Sequence, residues 1–162
     1  MADLAGRETG TAGHEPDEFT VARIFDFADP KTGPGFAPDH AVIGDPSRRA
    51  ALLGYLRRGR PVLMTTATAA DVVDQGAGRI VPGTFRTDGE WIWTDAVTYY
   101  LDRHRLAPDA RLTAHVEEQL RHGRQVPAAD QDTAARAADY LLRQSARRPP
   151  ATAWFPGRNP ES

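Results

Sequence analysis

The 162-residue chain contains no cysteine. That excludes disulfides, thiolate nucleophiles and cysteine-ligated zinc in one step. Small secreted proteins often depend on disulfides, so the lack points to the cytoplasm as the expected compartment. Long apolar runs are missing too, and none approaches the ~18 residues that a membrane span requires. The opening residues MADLAGRETGTAGHEPDE are acidic and carry no apolar h-region, so no secretory signal is expected there. Lysine is nearly absent, with Lys31 alone among 20 Lys and Arg residues. No basic run is long enough to form the concentrated face that duplex binding needs. Neither nucleic acid nor a membrane is therefore an expected partner.

What is present describes a globular chain. Hydrophobic residues make up 40% and charged residues 26%, and the length suits one domain with its own core. The formal net charge of −2 hides an asymmetry. Residues 1–45 hold nine acidic and three basic side chains, a net of −6, whereas residues 121–162 hold four and seven, a net of +3. The two ends can attract each other or serve a charged partner.

The pattern divides the chain into a flexible, disordered arm (1–18), a single α+β domain (19–145) and a Pro-rich tail (146–162). Phe19–Phe27 alternates and reads as a strand. Residues 28–44 hold three prolines and three glycines, which predicts a long loop without regular elements. Asp45-Pro46 opens a helix whose stripe is Ala50, Leu52, Leu53 and Leu56, with Gly59 as the residue after its cap. Residues 60–66 (RPVLMTT) read as a buried strand and 69–74 as a short amphipathic turn or helix. Asp88-Gly89 predicts a two-residue type I′ hairpin with Phe85 opposite Ile92, Arg86 opposite Trp91 and Thr84 opposite Trp93. Thr94 or Asp95 caps a helix with Val97, Tyr100, Leu101 and His104 on one stripe. A second helix buries Leu112, Val116 and Leu120 and ends at Gly123. A third, from about 130 to 144, carries Ala134, Ala137, Ala138, Leu141 and Leu142 on one side. The order of elements gives an α+β fold: a small antiparallel sheet with an Asp-Gly hairpin, and helices mainly in the C-terminal half.

Candidate chemistry is sparse. His115, Glu118 and His122 share a helix stripe, but seven residues of helix span ~10.5 Å, too far for both histidines to hold one metal ion. They read as the polar flank of an amphipathic helix. His104 lies near a helix C-terminus, where a charged imidazole complements the dipole. The glycines of GAGRIVPG precede a hairpin rather than a helix, so a turn explains them better than a phosphate loop. Asp88 serves the turn and Asp95 the helix start, which leaves Glu90 and Asp102 without a duty. No catalytic residue, metal site or cofactor is assigned. The aromatics carry the remaining ambiguity. Trp91 and Trp93 share a face with Arg86, either as sheet core under the helices, with Phe85 and Ile92 covered less well, or as an exposed recognition platform. Trp154-Phe155 in the tail either docks on the body or inserts into a partner. The candidate partner-binding residues are therefore Arg86, Glu90, Trp91, Trp93, Trp154 and Phe155.

Between residues 81 and 120 the phrases FRTDGEWIWTDAVTYYL and LAPDARLTAHVEEQ resemble small uncharacterised actinobacterial proteins carrying a TDGxWxW segment. The arginine-over-lysine usage and the abundance of Ala, Gly and Pro suit such a GC-rich genome. The resemblance covers neither end of the chain and transfers no catalytic residue. It implies an immunity or accessory protein of a toxin system. The expected function is thus a non-enzymatic protein-binding module, of the immunity or accessory type, that masks a partner protein such as a toxin domain. One alternative is a small-molecule-binding protein or small enzyme with a pocket among Arg86, Glu90, Trp91 and the 28–44 loop. A third reading is an assembly or cargo subunit held by its termini.

Overall fold

The computed structural model describes residues 19–124 and 129–147. Among these residues, eight short strands and four helices succeed one another. The strands are β1 (Thr20–Val21), β2 (Phe27–Asp29), β3 (Gly33–Gly35), β4 (Arg60–Pro61), β5 (Thr68–Ala70), β6 (Arg79–Pro82), β7 (Phe85–Thr87) and β8 (Trp91–Thr94). The helices are α1 (Pro46–Arg57), α2 (Asp95–His104), α3 (Ala110–Arg121) and α4 (Gln131–Arg147). The α+β class holds, with three of the four helices coming after the last strand. The main sheet has the order β1-β8-β7-β4 and is mixed, because β1 runs parallel to β8. Two further antiparallel pairs, β2–β3 and β5–β6, stand beside it.

Successive residues of a strand point to opposite faces, and in β8 this sends neighbouring side chains into two different cores. Trp93 joins Leu52, Leu56, Val97, Tyr100, Leu101, Leu112 and Val116 in one core, beneath α1, α2 and α3. Ile92 joins Phe19, Phe85, Ala137 and Leu141 in a second core, beneath α4. Both faces of the sheet are thus covered. The expectation that Phe85 and Ile92 are covered less well is overturned, since they are 5% and 0% exposed.

Local chemistry explains the helix starts. The Asp45 carboxylate accepts the Arg48 N–H and Pro46 takes the first helical position, as expected. Asp109 caps α3 by accepting the Arg111 N–H, and Asp130 accepts the Thr133 N–H at the start of α4. Thr94 occupies the cap position of α2 but its hydroxyl makes no capping bond. Ala50 and Leu142, placed on buried stripes from the sequence, are exposed.

Several strand and turn expectations are corrected. The ladder of the first strand ends where Ala22 N–H donates to the Ile92 carbonyl. Beyond it Ile24 and Phe25 are both buried, which no two-period pattern permits. The 28–44 segment is not free of regular structure, because β2 and β3 form a hairpin around Asp29, which accepts the Lys31 and Thr32 N–H groups. Its Pro and Gly residues build a turn rather than prevent pairing. Residues 60–66 form only a two-residue edge strand, and Met64 is 78% exposed. The segment read as a turn or helix at 69–74 contains strand β5 instead.

The Asp88-Gly89 hairpin exists, but not as a type I′ turn. The register is Phe85↔Thr94, Arg86↔Trp93 and Thr87↔Ile92, so four residues rather than two make the loop. Asp88 Oδ1 accepts the N–H groups of Glu90 and Trp91, and Thr87 Oγ1 accepts that of Gly89. Only Gly89 of the central pair takes positive φ, at 104°. The side chains of Thr87 and Asp88 satisfy the loop, so a backbone-only turn is not needed.

Gly59 follows the Arg58 cap of α1, as expected, but without positive φ. Its requirement is space. A Cβ there would stand 2.5 Å from Trp93 Cζ2 and 3.0 Å from Arg86 Cβ. Gly59→Ala must push the indole off its seat, and overpacking of this kind costs about 1–3 kcal/mol. Urea denaturation of that variant measures it, and an unchanged midpoint would contradict the packing described.

Candidate functional site

The six residues singled out in the sequence separate cleanly. Trp93 is fully buried and its indole N–H donates to the Leu56 carbonyl at 3.2 Å. Arg86 spends its guanidinium on Asp95 Oδ1 at 2.6 Å and on the Gly59 carbonyl at 2.9 Å. Both hold the sheet to α1 and α2. The face expected to join Arg86 to both tryptophans is not formed as a platform, because Arg86 turns to Asp95 and Trp93 is buried. Trp154 and Phe155 lie outside the described residues, as do the arm (1–18) and most of the tail. Glu90 and Trp91 remain.

Trp91 is half-buried, and the Arg111 guanidinium lies 5.4 Å from its ring centroid. His115 stands 6.0 Å away at 32°. Arg111 is steered there by Asp109, which holds it at 3.2 Å and also accepts the Arg23 backbone N–H. Burial would raise the Asp109 carboxyl, but the N–H of Arg23 and the bonds from Arg111 outweigh that and hold it below its usual range. A cation over an indole face contributes about 0.5–1 kcal/mol where exposed. Glu90, next in the chain, keeps its side chain 73% exposed, with its carboxylate 4.0 Å from His115 Nδ1.

Beneath this rim lies a polar hub absent from the sequence reading. Asp88 Oδ2 accepts the Tyr55 hydroxyl at 2.7 Å and lies 2.6 Å from His115 Nε2. With Asp88 as acceptor, Nε2 carries the proton and Nδ1 faces Glu90. Burial, then the bond to Asp88, pushes the Tyr55 phenol up, so it stays a donor. The hub joins the β7–β8 loop to α1 and α3. His115 is therefore not the mere polar flank expected of it, being 12% exposed in its side chain.

The same construction recurs at Asp71, which is completely buried. Its Oδ1 accepts the N–H groups of Val73 and Asp74, and its Oδ2 accepts from the Tyr99 hydroxyl and His104 Nε2. Burial would raise this carboxyl, but the bonds from Tyr99, His104 and the two backbone groups hold it down at about 2. Tyr99 is pushed up to about 12, by burial and then by Asp71. His104 is thus fixed by a carboxylate, so the helix dipole alone does not account for it. Of the acids left without a duty, Asp102 pairs with Arg57 at 3.1 Å.

The pocket imagined among Arg86, Glu90, Trp91 and the 28–44 loop is not assembled. Arg86 is engaged elsewhere, and Phe36 of that loop packs on Phe25 and Tyr100 instead. Among the described residues no group of three or more His, Asp or Glu could hold a metal ion, and no helix is long and apolar enough to cross a membrane. No family model, no curated protein and no solved structure matches this chain.

Proposed function

We propose that this chain is a protein-binding module whose contact surface is the rim formed by Glu90, Trp91, Arg111 and His115. The observation that carries it is Trp91, a half-buried indole held in place by Arg111 and His115 beside the exposed Glu90. A rigid aromatic with a charged neighbour makes a low-entropy anchor of the kind that dominates protein interfaces. The narrower form of the proposal is an immunity-type protein that masks a toxin domain, acting in the cytoplasm. A partner isolated by affinity capture on the full chain should bind Trp91→Ala at least about 30-fold more weakly, as a central anchor predicts. Isothermal titration of the purified pair gives that ratio. Unchanged affinity in a folded Trp91→Ala protein would remove the rim from the interface.

A further inference from the structure

His115 sits between two acids of one loop, and what it does there rests on the binding reading of Trp91. Its Nε2 lies 2.6 Å from Asp88 Oδ2, and its Nδ1 lies 4.0 Å from Glu90 Oε1. In the neutral ring the proton is on Nε2, so Nδ1 is a bare acceptor turned toward a carboxylate, which is also an acceptor. No hydrogen stands between the two, and they keep apart. A second proton on the ring reverses this. Nδ1–H then points at Glu90, and a charge-assisted bond of about 2.8 Å asks the carboxylate to close by only about 1 Å.

Glu90 is placed to make that move. Asp88 Oδ1 holds its N–H and its carbonyl accepts from Thr20, so the backbone is fixed while the side chain, 73% exposed, can swing. The other described histidines lack this arrangement. His104 meets Asp71 without a second acid, and His122 bonds Glu118 alone on the surface. His40 is engaged on both nitrogens already, by Asp26 and the Ala107 carbonyl. The groups facing His115 are Asp88 and Glu90 from the loop, the Tyr55 hydroxyl from α1 and Arg111 from one turn earlier on α3. Arg111 is matched by Asp109, and Glu118, one turn later, is spent on Arg121 and His122. Arg124, just past α3, acts on Tyr55. Within 4.0 Å, the two loop carboxylates therefore have no cation among the described residues except His115 when charged.

We infer that His115 is a proton-operated latch on the binding rim. Neutral, it leaves the Glu90 carboxylate free beside Trp91 for a partner; doubly protonated, it bridges Asp88 and Glu90 and withdraws that carboxylate. The His115 ring stands 6.0 Å from the Trp91 indole, and Glu90 precedes Trp91 in the chain, so the latch acts where the partner lands. Partner affinity therefore falls on acidification. By linkage, a bound partner that uses Glu90 holds the second proton off His115. One exposed charged contact contributes modestly, so the latch tunes binding and does not abolish it.

NMR of the full chain tests the latch without any partner. The experiment runs from about pH 8 to about pH 5.5, where histidine is the side chain that ordinarily changes charge. The His115 ring nitrogens report the arrival of the second proton. Over that same step the Glu90 carboxyl carbon should shift, and Overhauser contacts should appear between the Glu90 γ-protons and the His115 ring. His115→Gln should abolish the carboxyl step; should that variant not fold, the Overhauser contacts in the native chain decide alone. A ring that gains its proton while Glu90 stays put overturns the latch, as does a ring that gains none across the range. With a purified partner, titration calorimetry should show about fivefold weaker binding at the acid end, and Glu90→Ala should lose most of that dependence. If Trp91→Ala weakens the partner while Glu90 never closes on His115, the binding face survives and only the latch fails. Should Glu90 close while partner affinity ignores Trp91→Ala, the proton-driven movement stands and the binding reading fails.

Discussion

Asp71→Ala is expected to destabilise the fold by about 3–5 kcal/mol, the range found when one member of a buried charged network is removed. Four donors lose their acceptor at once: the N–H groups of Val73 and Asp74, the Tyr99 hydroxyl and His104 Nε2. A domain of this size has only about 5–15 kcal/mol in hand, so this single change removes a large share. The damage concentrates between the β5–β6 hairpin and α2, because Val72 N–H also leans on the Tyr100 hydroxyl at 3.0 Å. The pH dependence has a definite sign. Asp71 sits at about 2 in the fold against an ordinary 3.8. A depressed carboxyl stabilises fully above its unfolded value and loses that contribution as pH falls toward the folded one. Wild-type stability should therefore decline between pH 4 and pH 2, as protonation reaches Asp71, and Asp71→Ala should decline less over the same window. Chemical denaturation at a series of pH values decides it. Parallel pH profiles for the two proteins would show that Asp71 is not the group responsible.

Helices were the legible part of this chain, and the reason is local. Asp45-Pro46 and Asp109 announce their helices by side chains that bond within three residues, and Gly123 takes φ 77° at the end of α3 as expected. Strands were less legible because pairing partners lie far apart in sequence. Phe19–Phe27 alternates convincingly, yet only two residues pair, since the chain must leave β8 to bury Ile24 and Phe25. The hairpin was found but its register was off by two residues, because Asp88 uses its carboxylate on the loop itself. The site was half legible. Trp91 was singled out from the hairpin face and Glu90 as an acid without a folding duty, while Arg86 and Trp93 hold the fold. Arg111, His115 and Tyr55 reach Trp91 and Asp88 from two helices, and no spacing rule connects positions 55, 88 and 115. One signal was available for Asp71 and Asp88 alike. Each is an Asp that opens a turn and leaves a second oxygen unspent, which in a buried position demands a donor.

Asp88 permits the sharpest test of how the rim is held, because two substitutions at the same position should diverge. Asp88→Ala removes the acceptor for the Tyr55 hydroxyl, His115 Nε2 and the N–H groups of Glu90 and Trp91. Stranding several buried polar groups in this way costs about 3–5 kcal/mol. Asp88→Asn keeps the oxygen that serves the Glu90 and Trp91 N–H groups, so the loop can stay closed. Its amide nitrogen then meets Tyr55 and His115 as a donor. The phenol oxygen can accept, and His115 can move its proton to Nδ1 and accept at Nε2. With the network re-paired, the loss should fall to about 1–2 kcal/mol, the scale of one hydrogen bond. The proton shift changes the rim itself, because Nδ1–H would then face the Glu90 carboxylate, 4.0 Å away in the native arrangement. Nitrogen-15 NMR of the His115 ring should report Nε2–H in the native protein and Nδ1–H in Asp88→Asn, with denaturation giving the two stabilities. Equal losses for Ala and Asn, or an unmoved proton, would mean that Asp88 acts on the rim through its charge and not through the pattern of donors around it.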